Sequence, residues 1–184
     1  MRKQTGFTIL ELMIVVAIVG VLGSLALAGL KEWNRSARRT AAVSDFLSAL
    51  HVARSEAVKR NVRVGVCPSE DSDQADATCL VTKDWAVGWI VFVDADGDMS
   101  RADDEEILGT SQALAVPWTL ASSNGDIALD FRPNGRIETS TLAKSADFNL
   151  CDDRGPTEGR VISVSISGRP QTGLSAQDGS DPQC

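Results

Sequence analysis

One histidine, His51, serves the whole 184-residue chain, and none of its four cysteines stands in a C-x-x-C pair. That leaves little material for a zinc site and excludes a dithiol redox motif. No phosphate-binding glycine loop occurs, and no nucleophile–histidine pairing stands out around His51. These absences argue against an enzyme. An excess of positive charge is also missing: 18 Lys+Arg face 25 Asp+Glu, a formal net charge of −7. A general nucleic-acid binder would show the opposite balance. What remains is of ordinary globular composition, in a length that suits one compact domain plus an appendage.

The charge is unevenly spread. Residues 1–30 carry Arg2, Lys3 and Glu11, a net +1. Residues 31–63 carry eight basic residues (Lys31, Arg35, Arg38, Arg39, Arg54, Lys59, Arg60, Arg63) against Glu32, Asp45 and Glu56, a net +5. Residues 64–184 hold eight basic and twenty-one acidic residues, a net −13. The order is an apolar head, a basic stalk and an acidic body.

Nineteen residues from Leu12 to Leu30 carry no formal charge, and Ser24 is the one polar side chain among them. As a helix they would span about 28 Å, close to the hydrocarbon thickness of a bilayer. A buried core helix would not be apolar on every face. A cleaved secretory signal would be shorter and followed by its cleavage site, whereas here Arg2, Lys3 and Gly6 come first. The segment is therefore expected to stay in the mature protein. Glu11 is the anomaly, since a carboxylate in lipid costs on the order of 3 kcal/mol and needs a partner. A cut after Gly6 would expose an α-ammonium at Phe7, four residues before Glu11, which the carboxylate of a neighbouring molecule would neutralise.

Gly6-Phe7-Thr8-Ile9-Leu10-Glu11-Leu12 behind a short basic leader resembles the class III signal of type IV pilins and type II secretion pseudopilins. The resemblance implies that a membrane prepilin peptidase cuts after Gly6 and methylates Phe7, with Glu11 as the assembly carboxylate. The mature chain would then have 16 basic and 25 acidic residues, a net −9. It also implies an inner-membrane, single-pass protein with its body in the periplasm, which later joins an extracellular pilus or a periplasmic pseudopilus. Lys31, Arg35, Arg38 and Arg39 beyond the span pull the other way, because positive charge favours the cytoplasmic side. The outside placement rests on the resemblance.

Val43, Phe46, Leu47, Leu50, Ala53, Ala57 and Val58 recur at three- and four-residue steps, the pattern of an amphipathic helix with one packed stripe. No Pro or Gly interrupts Lys31–Asn61, so the apolar helix is expected to continue into it, with Gly20, Gly23 and Gly29 as soft points. The basic residues of this stretch read as a solvated face or as contacts to acidic bodies of adjacent subunits, and His51 as a surface residue. Beyond Asn61, Val62–Cys67, Val87–Val93, Ile127–Phe131 and Arg160–Ser167 read as strands. Val161–Ser167 alternates like a strand with one buried face, and Asn134-Gly135 marks a hairpin turn. The fold class is α+β: a long N-terminal helix packed on a β-rich domain.

Ala53-Arg54-Ser55-Glu56-Ala57, Gly88–Asp94, Phe131-Arg132-Pro133-Asn134-Gly135, Phe148–Asp152 and Gly159–Val164 with Ser167-Gly168-Arg169 are similar to the GspH/FimT family of minor pilins and pseudopilins. A pairing of Cys151 with Cys184 resembles the FimU-like minor pilins within it. The family implies a pilin-like fold divided into leader 1–6, membrane and assembly helix 7–30, amphipathic helix 31–61 and globular domain 62–184. It implies a low-abundance subunit at or near the tip of a type IV pilus, priming assembly with other minor pilins and the major pilin. The alternatives are a type II secretion pseudopilin and a DNA-uptake pilin.

Four cysteines permit three pairings. Cys67–Cys79, closing a polar loop, and Cys151–Cys184, tethering the tail, are favoured; four reduced thiols are the alternative. Asp94, Asp96, Asp98 and Glu105 match an EF-hand calcium loop in spacing. Gly97 stands fourth, however, Met99 holds the sixth position where glycine is needed, and a strand precedes. A solvated turn is the expected reading, with no cofactor. Arg160 and Arg169 are candidate phosphate contacts, but Gly168-Arg169-Pro170 is followed by Gln171, so the Gly-Arg-x-Arg element of DNA-uptake relatives lacks its second arginine. DNA affinity is expected to be weak or absent, because the acidic body repels a polyanion.

Overall fold

The computed structural model describes Gly6 and residues 8–143, 145–176 and 179–184; for residues 23–29 it describes the helical backbone without the side chains. The leader residues 1–5 and Phe7 lie outside the described residues.

Helix α1 runs from Ile9 to Arg60, continuous across Gly20, Gly23 and Gly29. Thr8 caps its start: Thr8 Oγ1 accepts the Glu11 N–H at 3.2 Å, and the Thr8 carbonyl accepts from Leu12 N at 3.1 Å. At the other end Asn61 turns left-handed with φ 57°, and Val62 N bonds back to the Ala57 carbonyl at 3.3 Å. This six-to-one closure stops the helix without glycine, because asparagine tolerates that conformation.

The chain divides into two compact units, residues 1–41 and 42–184, so the packed unit begins inside the helix. In the first, the apolar side chains from Ile9 to Leu22 are exposed on all faces of the helix, Ile9 at 82% and Leu10 at 71%.

The second unit is the last five turns of α1 with two antiparallel sheets. Strands β1 (Arg63–Pro68), β2 (Gly88–Asp94), β3 (Ile107–Gln112), β5 (Leu129–Phe131) and β6 (Ile137–Thr139) form one, in the order β3-β2-β1-β5-β6. The other is ordered β4-β7-β8-β9, from β4 (Thr119–Ser122), β7 (Ser145–Cys151), β8 (Arg160–Ser165) and β9 (Pro170–Gly173). Val64 and Val66 on the central β1 face Phe131 and Leu129 on one side and Val93 and Val91 on the other. Alternation then puts these apolar side chains on the face towards α1. From α1 come Ala42, Val43, Phe46, Leu50, Ala53 and Ala57; the second sheet adds Leu120, Ala146, Phe148, Leu150, Ile162 and Val164. Phe46 is fully buried and meets Trp85, Trp89 and Phe148 edge to face at 5.6, 5.0 and 4.9 Å. Trp85 satisfies its indole N–H on the Asp126 carbonyl.

Two expectations need correction. Val58 is 53% exposed, so the packed stripe of α1 omits it. The polar face of β8 is also not open to solvent: Ser163 and Val161 are buried. Ser163 Oγ hydrogen-bonds Asp147 across the β7–β8 ladder, and Asn149 Nδ2 donates to Ser123 Oγ, so the buried polar groups there are satisfied. The tail closes over this end, with Pro182 buried against Gly159 and Cys184 bonded to Cys151.

Candidate functional site

Glu11 is exposed, at the first turn of α1, where a carboxylate is favoured by the helix dipole. Among the described residues no side chain of the same chain pairs with it. Thr8-Ile9-Leu10-Glu11 is a capping-box spacing, a signal the sequence carries and that reading for the processing motif alone passes over. Gly6 is exposed. Among the described residues no helix is long and apolar enough to cross a membrane. The nineteen-residue run read from the sequence includes residues 23–29, whose side chains are not described.

The four candidate calcium ligands sit where β2 ends. Carboxylate oxygens of Asp94, Asp96 and Asp98 lie within 4.8 Å of one another. Two of the four acids are buried, which corrects the expectation of a solvated turn: Asp94 is 0% and Glu105 8% exposed. Each is turned on the loop's own backbone. Asp94 accepts from Gly97 N at 2.7 Å and Met99 N at 3.2 Å, while Glu105 accepts from Ala95 N at 2.6 Å and Ala102 N at 2.9 Å. Met99 supplies at φ 65° the left-handed turn that glycine would take. Arg101 fastens this loop to the disulfide loop, with Nη1 on the Ala77 carbonyl at 2.9 Å and its backbone N on Cys79 Sγ at 3.3 Å.

Beside it runs a line of alternating charge. Arg63 Nη1 bonds Asp130 at 2.8 Å and approaches Glu138 at 3.2 Å, and Arg132 holds Glu138 from the far side. The Arg63 guanidinium also lies over Gly97, 3.2 Å from where a side chain there would start. A resident cation of the protein's own thus serves this acidic corner. Asp130 is fully buried with Oδ1 unbonded, and its carboxyl is pushed up to about 7, by burial first and the charge of Asp94 second. Burial likewise raises Asp94, whereas the Arg132 hydrogen bond holds Glu138 below the usual range.

The two candidate DNA arginines are not brought together. Arg160 opens β8 and donates to the Gly159 carbonyl at 2.6 Å; Arg169 sits beyond the opposite end of that strand, roughly 17 Å along it. Arg169 instead joins His51 and Arg54 around a cleft of about 440 Å³ floored by Pro170 and Gln171. Sequence spacing gives no sign of this grouping, because residues 51–54 and 169 meet only through the fold. The hairpins that build it fit without slack: Gly168, at φ 71°, lies so close to Gly135 that a Cβ would fall 1.9 Å from the Gly135 carbonyl oxygen.

The favoured disulfides are both present, Cys67–Cys79 and Cys151–Cys184, with Cα–Cα distances of 5.5 and 5.7 Å.

Comparison with known proteins adds a family. The profile described as type II transport protein GspH matches residues 42–168, more than half of the chain, and the prokaryotic N-terminal methylation motif matches residues 1–27. A fimbrial protein of Pseudomonas aeruginosa is 43% identical over 58 residues, 32% of this chain and 37% of that protein. The type II secretion system core protein G of Vibrio cholerae is 46% identical over 48 residues, 26% of this chain and 33% of that one. The chain thus spans about a third of the length of these relatives. The crystal structure of the type IV minor pilin FimU of Pseudomonas aeruginosa superposes with a TM-score of 0.60 at 24% identity, covering 82% of this chain and 97% of that one. The fold is therefore that of a type IV pilin, a long helix on antiparallel sheets.

Proposed function

The chain belongs to the family of type II transport protein GspH, and from that premise we propose that it is a minor pilin, a structural subunit at or near the tip of a type IV pilus that primes assembly. The observation that carries this is the start of α1: apolar side chains exposed on every face, with an exposed carboxylate at Glu11 that has no side-chain partner among the described residues. Such a helix is insoluble alone and needs lipid or other helices of its kind. Prepilin peptidase would cut after Gly6, in the inner membrane, and methylate the new terminus at Phe7. The carboxylate of one subunit then meets the ammonium of the next as both leave lipid, which removes the cost of an isolated buried charge. The periplasmic body would direct which pilins it joins.

A second reading, a pseudopilin of a type II secretion system, draws on the GspH match and on the identity with core protein G. Deleting the gene separates the two: loss of surface filaments supports the first, and loss of exoprotein secretion with filaments intact supports the second. For either, Glu11→Ala is expected to leave processing unchanged and to block incorporation. Normal incorporation of that variant would remove the assembly role. A DNA-uptake reading has the weaker support, since Arg160 and Arg169 stand apart on an acidic body.

A further inference from the structure

The cleft of His51, Arg54 and Arg169 brings two arginines and a histidine together. These three side chains have no carboxylate within ion-pair distance among the described residues. Four other arginines are matched by carboxylates: Arg60 with Glu56 at 2.5 Å and Glu106 at 2.6 Å, Arg63 with Asp130, Arg132 with Glu138, and Arg154 with Asp152 at 2.6 Å. Arg169 lies in the stretch of net −13, and Arg54 comes from the basic stalk.

Their placement is held by the fold. His51 and Arg54 are one turn apart on α1, where three-residue spacing puts them on the same face. Arg54 lies over the Asn134-Gly135 turn, 3.3 Å from where a Gly135 side chain would begin. Arg169 comes from the β8–β9 turn, which Gly168 seats against that same Gly135. Two guanidinium groups and an imidazole therefore converge from separate elements on a space of about 440 Å³, enough for one or two acidic side chains.

We propose that this cleft is a docking site for a carboxylate-rich segment of a neighbouring protein subunit. The inference rests on the reading of the chain as an assembly subunit. Guanidinium groups bind carboxylates through paired N–H donors, as Arg132 does with Glu138 and Arg154 with Asp152. Nucleic acid fits less well: it brings about one charge per 1.7 Å of duplex, which would extend past the cleft over an acidic surface. An Asp- or Glu-bearing loop places its charge in the cleft alone.

The test uses the full chain in detergent micelles, with fluorescein-labelled hexaglutamate as probe and anisotropy as readout. Saturable binding is expected, weakened at least about tenfold by Arg54→Glu or Arg169→Glu, and changed by less than about twofold by Lys83→Glu, the same charge change at an exposed site elsewhere. Arg54→Gln and Arg169→Gln repeat the measurement with little threat to folding, and thermal melts confirm that each variant is folded. Absence of saturable binding, or equal binding by the glutamine variants, overturns the proposal. So does a single-stranded oligonucleotide that binds more tightly than hexaglutamate and loses its affinity in the same variants. Incorporation in cells separates this from the parent reading. If Glu11→Ala blocks assembly while both cleft variants assemble normally and bind no peptide, the cleft is not a docking site and the subunit reading stands. If Glu11→Ala assembles normally, it is the subunit reading that falls.

Discussion

Helix α1 serves two regions under different physical rules. In residues 42–60 one stripe is buried and the rest is wet: Phe46, Leu50, Ala53 and Ala57 are at 0% exposure, while His51, Val52 and Lys59 face out. In residues 9–22 no such stripe exists, and the exposed apolar side chains circle the whole helix. The first pattern is complete within one molecule. The second is a surface awaiting other molecules, so substitutions in the two regions should register in different experiments.

The sharpest test of that contrast is Phe46→Ala. A fully buried ring with three aromatic neighbours should cost 3–5 kcal/mol or so, lowering the melting temperature of the body. Val16→Ala, in the unpartnered half, should leave that melt unchanged. Equal losses would mean that the two halves are not distinct.

Cys151→Ser should cost about 4 kcal/mol and Cys67→Ser about 3 kcal/mol, from the 33- and 12-residue separations that the bonds span. A reductant titration followed by calorimetry checks both, and no shift in the melt would argue that the bonds do not stabilise the body. Gly168→Ala combines a left-handed backbone with a carbonyl oxygen in the way, and should cost at least about 2 kcal/mol. A neutral result would show that the two hairpins separate easily.

The weakest signal is a slope. Asp130 has its carboxyl raised to about 7, so between about pH 4 and 7 the folded state holds more protons than the unfolded one, and stability falls as pH rises. The fall is at most about 1.4 kcal/mol per pH unit. Asp94, also raised, acts in the same direction. Glu56, Asp71 and Glu138, all lowered, act in the opposite direction: their stability is present above their unfolded values and is lost as pH drops through the depressed ones. Asp130→Asn should flatten the decline from pH 4 to 7 in denaturant melts, and an unchanged slope would assign it to other groups.

Much of the fold was legible because its signals are local. The three- and four-residue spacing from Val43 to Ala57 marked the packed stripe, β-branched runs marked β1, β2 and β8, and Asn134-Gly135 marked the β5–β6 hairpin. The misses share a cause. Val58 lies at a stripe spacing, yet it sits beside the Gly135 turn and stays 53% exposed. Ser163 looks solvent-facing until Asp147 arrives on the neighbouring strand. Asp94 and Glu105 read as solvated because acidic spacing does not show that the folded loop turns them inward onto its own backbone N–H groups.

From the amino-acid order alone came the methylation motif around Gly6, the anomalous carboxylate at Glu11, the apolar run and the separation of basic stalk from acidic body. These depend on neighbours within a few residues or on summed charge, which need no fold to be counted. Tertiary structure alone decided that Arg169 stands beside His51 and Arg54 rather than Arg160, and that Arg63 serves the acidic corner. Those are meetings of residues far apart in the chain, and sheet register and turn packing determine which of them occur.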